Sequence, residues 1–257
     1  MEILFLILTG ATIGMIVGLT GVGGGALMTP ALLLFGFPPH IAIGTDLWFA
    51  ALTKSGGMIA HNRKGHVNWR IALNLAYGSL PAAIVTGFAL AFWFGSAEHY
   101  ANLLTTALGF MLILTSIVLL FRRKLSQLYL GKSRAADNHR FSKKLWFAGV
   151  ILGVLVTLSS VGAGAIGTAV LMILYPRLLP KQIVGTDIAH AVPLTLIAGT
   201  VHLYLGNVDF KLLFALLAGS LPAIYLGTAL SSRIPGKFLH PILASLLMLL
   251  GMKYAIF

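Results

Sequence analysis

Long apolar stretches dominate this chain, at about 3–36, 41–60, 71–94, 101–121, 145–175, 182–205, 212–230 and 238–257. Each is long enough for a membrane helix, which needs about 20 mostly apolar residues. The pattern predicts an all-α polytopic membrane protein of about eight hydrophobic helical segments. The run 3–36 is too long for one straight rod: as a continuous helix it would extend about 51 Å, against a hydrocarbon core of about 30 Å. It is interrupted at Gly21-Val22-Gly23-Gly24-Gly25, where a helix is intrinsically weak. The run 145–175 is interrupted in the same way at Gly162-Ala163-Gly164. A glycine-broken, hairpin-like first segment is therefore expected in each half.

The halves repeat one another. Residues 21–82 overlay 162–223 at a constant offset of 141 with no gap. Gly21 falls on Gly162, Gly23 on Gly164, Pro39 on Pro180, His61 on His202 and Gly65 on Gly206. Gly44-Thr45-Asp46 coincides with Gly185-Thr186-Asp187, and Gly78-Ser79-Leu80-Pro81-Ala82 with Gly219-Ser220-Leu221-Pro222-Ala223. A duplication in so apolar a chain is the usual mark of a transporter, with substrate bound where the repeats meet. The expected organisation is a first repeat over 1–121, a basic linker over 122–144 and a second repeat over 145–257.

Composition supports this reading. The chain is 58% hydrophobic and 9% charged, against about a quarter charged in soluble domains. The net charge of +12 sits in loops and reads as positive-inside topology rather than nucleic-acid binding. If the first run of each half turns back at its glycines, Arg63, Lys64, Arg70, the linker, Arg177, Lys181, Arg233 and Lys237 share one side, opposite Lys211 and Lys253. Equivalent loops have also exchanged charge: Arg63 and Lys64 correspond to Tyr204 and Leu205, while Gly36 and His40 correspond to Arg177 and Lys181. Both features predict inverted repeats, with the termini outside and the linker in the cytoplasm. The N-terminus MEILFLILTG lacks a basic n-region and is expected to belong to the first helix.

Polar residues within the apolar runs gather in one repeated element. The first copy carries Thr45, Asp46 and Lys54; the second carries Thr186, Asp187 and His190. An ionisable group at membrane depth costs several kcal/mol, so it faces a partner or a cavity. For Asp46 and Asp187, interfacial placement or helix capping is an equally good reading; for Lys54 the alternative is snorkelling. His190 follows Asp187 by three, so both share a helix face and can share a proton. The equivalent neighbour of Asp46 is Phe49, which leaves the repeats chemically asymmetric. The glycine breaks would expose backbone N–H groups and helix N-termini suited to an anion. Gly10, Gly14, Gly18, Gly149 and Gly153 are spaced for close helix packing instead. His61 and His202 read mainly as helix-stop residues before turn glycines, and the two Gly-Ser-Leu-Pro-Ala elements as matched kinks.

At these residues the chain resembles the TauE/SafE family of sulfite exporters (TSUP). The likeness is carried by GLTGVGGGALMTPALL, IGTDLWFAALTKSGG, VGTDIAHAVPLTLIAGTVH and the two His-x3-Gly-x-Val loops, and it covers essentially the whole chain. It implies a multi-pass inner-membrane transporter of sulfite, thiosulfate, sulfoacetate or related organosulfonates, coupled to an ion, with the proton the expected one. It also implies substrate contacts at Gly21, Gly23, Gly24, Gly25, Thr45, Asp46, Gly162, Gly164, Thr186 and Asp187. Lys54 joins these candidates as an intramembrane cation; Asp187 and His190 are the candidate coupling pair. A different small anion, a cation or a passive channel are the alternatives. With no cysteine, no His-Glu-x-x-His and no paired Cys/His spacing, the sequence predicts no catalytic centre, metal or cofactor. The expected partners are a small anion, a coupling ion and the lipid bilayer. Nucleic acid is not among them, and assembly as a homo-oligomer stays open.

Overall fold

The computed structural model describes residues 2–20, 25–95, 97–129, 142–230 and 236–256. Among them are ten helices and no strand: α1 (Glu2–Thr20), α2 (Gly25–Leu34), α3 (Pro39–Arg63), α4 (Trp69–Phe94), α5 (Ala97–Tyr129), α6 (Lys143–Ser159), α7 (Ala165–Leu174), α8 (Pro180–Tyr204), α9 (Phe210–Leu230) and α10 (Gly236–Ile256). The first run of the second half divides at its glycines into α6 and α7, while in the first half α1 ends at Thr20 and α2 begins at Gly25. Proline opens both α3 and α8 at the first turn, where its missing N–H costs nothing. Asn68 and Asp209 cap the helices that follow, accepting from the N–H groups of Ile71 (3.3 Å) and Leu212 (3.0 Å).

Glycine contacts fix the direction of each helix. Gly10, Gly14 and Gly18 of α1 meet the backbone at Leu216, Ser220 and Ile224 of α9 in that order, so these helices run parallel. In the other half, Gly149 and Gly153 of α6 meet Leu75 and Ser79 of α4 in the same sense. The first helix of each repeat therefore packs on the fourth helix of the other. Gly78 and Gly219, within the matched Gly-Ser-Leu-Pro-Ala elements, are the reciprocal close-approach points, against Trp146 and Ile7.

Equivalent helices pair antiparallel. Gly44, near the start of α3, meets Asn207 just beyond α8, Gly199 meets Trp48, and Gly185 meets His61 and His66 at the far end of α3. Gly109 of α5 likewise meets Ala255, Gly251 of α10 meets Ile113, and Ser116 Oγ donates to the Ala244 carbonyl at 2.7 Å. Equivalent helices can oppose one another only if the axis relating the halves lies across them. The repeats are inverted. The turn at 205–209 reverses α8 into α9, so α9, α1 and α3 all run the same way. For α3 to leave in the direction of α1, the 10-residue α2, about 15 Å long, must bring the chain back. Each half thus begins with two shorter helices that lead into three longer ones.

The packing also corrects the gapless alignment. Gly10 and Gly149 have equivalent partners yet differ by 139, as do Gly14 and Gly153 and the helix ends Thr20 and Ser159, whereas Pro39 and Pro180 differ by 141. The second half therefore holds two additional residues between Ser159 and Pro180. Carrying the 139 offset through the break matches Gly23 to Gly162, Gly25-Ala26 to Gly164-Ala165 and Thr29 to Thr168.

Four helical segments, α4, residues 98–121, α8 and α9, are long and apolar enough to cross a membrane by themselves. Phe92, Trp93, Phe110, Phe214 and Tyr225 are exposed around the outside, the placement expected of a surface solvated by lipid. Inside lie Thr45, Asp46, Thr186, Asp187, His190 and His202, each at most 1% exposed.

Candidate functional site

The antiparallel α3/α8 pair brings the repeated Gly-Thr-Asp elements against the opposite halves. The bare Cα of Gly44 lets the Asn207 carbonyl approach, and that of Gly185 lets the His66 carbonyl approach at a distance any Cβ would obstruct. The adjoining hydroxyls complete the clasp. Thr45 Oγ1 accepts from the Asp209 N–H (3.1 Å) and Thr186 Oγ1 from the Asn68 N–H (2.9 Å). Each threonine thus stitches its half to the helix start of the other.

The aspartates differ in their surroundings. Asp46 is fully buried, and its Oδ2 accepts from Thr29 Oγ1 of α2 (2.5 Å) and Ser160 Oγ of the second break (3.0 Å). It is not a helix cap: it lies two turns inside α3 and binds side chains from two other segments. Its Oδ1 has no hydrogen-bond partner among the described residues. Asp187 is equally buried, and its Oδ1 occupies the space a Cβ on Gly167 would need. The register mate of Thr29, Thr168, turns its hydroxyl to the Ala165 carbonyl (2.9 Å).

Lys54 does not snorkel. Its Nζ donates to the Ala163 carbonyl within the second break at 2.7 Å, midway along α3. Both carboxylates act on its charge, Asp187 more strongly than Asp46. His190 also faces the Lys54 charge, but its Nε2 is hydrogen-bonded to Ser79 Oγ (2.8 Å) and not to Asp187, and its Nδ1 has no partner among the described residues. In the mirror position Phe49 replaces the histidine, and the corresponding Ser220 hydroxyl is buried without a partner among the described residues.

The second break has an unusual backbone. Ser160 is left-handed (φ 59°), Gly162 has φ 116° and Gly164 φ 137°. The N–H groups of Ile166, Gly167 and Thr168 return to Gly162 and Gly164 carbonyls. Those of Gly162, Ala163, Gly164 and Ala165 have no acceptor among the described residues. They cluster at the N-terminus of α7, where unpaired amides and the helix dipole favour negative charge. Gly25 begins α2; Gly21, Gly23 and Gly24 lie outside the described residues.

His61 and His202 end their helices ahead of left-handed Gly65 and Gly206, whose successors donate back to the histidine carbonyls. His202 is further fixed by the Thr157 carbonyl (2.9 Å) and Asn207 (3.2 Å). Three polar contributors escape a reading of the sequence: Thr29, Ser160 and Ser79. Single hydroxyls on apolar helices are ordinary, since each can bond within its own turn. Only the repetition of Ser79 as Ser220 offered a signal.

Inverted repeats, two shorter helices opening each half and ionisable side chains buried where the halves meet define a multi-pass membrane transporter. More particularly, the chain belongs to the sulfite exporter TauE/SafE family, whose profile matches residues 6–254. It is similar to the probable membrane transporter protein YjnA of Bacillus subtilis, at 38% identity over 96% of this chain and 98% of that protein. YdhB of the same organism, also described as a probable membrane transporter protein, is 31% identical over 96% of this chain and 100% of its own length. A probable membrane transporter protein of Methanocaldococcus jannaschii is 26% identical over 96% of this chain and 93% of its own. No solved structure matches this chain.

Proposed function

We propose that the protein is a proton-coupled, alternating-access transporter of small sulfur-containing oxyanions in the cytoplasmic (inner) membrane. Sulfite, thiosulfate, sulfoacetate and other organosulfonates form the substrate class. The observation that carries this reading is the cluster of amides at 162–165 with no acceptor among the described residues, beside Lys54, with Ala163 shared between them. Backbone N–H groups and one ammonium can hold several oxygens of a compact anion without a dedicated arginine. The family's description as a sulfite exporter points to the same chemistry. The deciding experiment is counterflow of labelled sulfite in proteoliposomes, with and without a pH gradient. Saturable exchange, competed by thiosulfate or sulfoacetate but not by a cation, is expected. Exchange of an unrelated solute alone would replace the substrate class, and unsaturable flux would indicate a channel.

The 122–144 linker is assigned to the cytoplasm by its lysines and arginines. A reporter fused after Phe257 should read as external and one inserted near Ser133 as cytoplasmic; reversed signals would invert the assignment.

Coupling in the second half is assigned to Asp187 and His190. His190 feels the Lys54 charge and, among the described residues, bonds only to Ser79, so its charge state can change without breaking an ion pair. His190→Ala should flatten the pH profile of net transport. A profile of unchanged shape, in protein of normal thermal stability, would remove His190 from coupling.

A further inference from the structure

Asp46 is held by both halves of the chain. Two hydroxyls, from α2 of its own half and from the break of the other, converge on Oδ2, while Oδ1 is buried with no partner among the described residues. A buried carboxylate oxygen without a donor is costly while the group is charged. Lys54, two turns further along α3, is the one charged side chain acting on Asp46 among the described residues of the elements around it; α2 and the second break contribute only the hydroxyls of Thr29 and Ser160. Lys54 in turn faces Asp187 as well, and His190, when neutral, adds no charge. One ammonium thus answers two carboxylates.

Resting on the transport function proposed above, we propose that Asp46 is a proton-binding site of the transport cycle: its free Oδ1 takes up a proton when the anion enters beside the second break, and proton and anion cross together in the same direction. The proton neutralises the carboxylate that would otherwise repel the anion. It also turns Oδ1 into a donor, for which the anion supplies the acceptor, two residues along the chain from Ser160. The two hydroxyls remain on Oδ2 in both states, so protonation does not dismantle the contact between the halves. Asp46 therefore adds a proton to any carried by His190, and it does so from the opposite repeat.

The test compares wild type with D46N, whose amide oxygen still accepts from Thr29 and Ser160 but binds no proton. Sulfite-driven proton movement and labelled sulfite flux are recorded in the same proteoliposomes. Wild type should carry protons in the direction of sulfite, and D46N should carry one fewer per anion. An unchanged ratio, or protons moving against sulfite in wild type, would overturn the proposal. Infrared titration of the purified proteins without substrate gives an independent answer. The carboxylic-acid absorption that titrates in wild type should lose one component in D46N that D187N retains; a D46N titration that keeps that component would reject Asp46. Because that measurement needs no sulfite, failure of wild type to exchange sulfite would count against the substrate class and not against Asp46.

Discussion

Gly164→Val should abolish transport, to about 100-fold below wild type or less, while the protein still inserts and purifies normally. Gly164 has φ 137° and Gly162 φ 116°, a backbone region that a β-branched residue enters only at a cost of about 1–3 kcal/mol. A side chain on Gly162 would in addition meet the Met111 methyl at 2.6 Å. The chain can relieve that strain only by rewinding or shifting the segment that presents the amides of 162–165. Displacements of about 1 Å at such a centre are enough for a loss of about 100-fold. Gly23→Val, at the register equivalent of Gly162, should behave likewise. Labelled-sulfite uptake, normalised to inserted protein, is the measurement. Wild-type rates in these variants would reduce the glycines to packing.

The second large effect is expected at Lys54. Its ammonium binds the Ala163 carbonyl and stands between the influence of Asp46 and Asp187. Lys54→Met keeps much of the length and apolar body of the side chain and removes only its charge and hydrogen bonds. Two carboxylates then border the anion path uncompensated. Truncating one partner of a buried charged group costs about 2–5 kcal/mol, so a fall in transport of about 100-fold is expected. Pairing the change with D46N should restore part of the activity, because one repelling charge has gone. If Lys54→Met alone transports normally, or if D46N makes it worse, the lysine is a structural prop for the break.

Much of the architecture can be read from residues. The eight apolar runs gave the membrane solvent, the glycines at 162–164 gave the second helix break, and exchanged loop charges such as Arg63/Tyr204 and His40/Lys181 gave the inversion that antiparallel α3/α8 and α5/α10 contacts display. The alignment failed at one point. An ungapped comparison could match Gly21 to Gly162 because glycines crowd the first break, and only the packing of Gly10 on Leu216 and Gly149 on Leu75 revealed two additional residues in the second half.

The candidate site was legible as a set of unusual residues, not as an arrangement. Thr45, Asp46, Lys54, Asp187 and His190 stand out because polar groups are expensive in lipid, and that cost is a property of composition alone. Their partners were hidden. Thr45 meets Asp209, Thr186 meets Asn68, Asp46 meets Ser160 and Lys54 meets Ala163 across separations of more than 100 residues, and His190 turned to Ser79 instead of its helix neighbour Asp187. The sequence by itself therefore determined which segments enter the membrane, where they break, and which side chains must be shielded from lipid, since these follow from local hydrophobicity and backbone freedom. Only the tertiary structure decided who shields whom, because a hydrogen bond between inverted halves depends on the axis that relates them and leaves no trace in the spacing of either half.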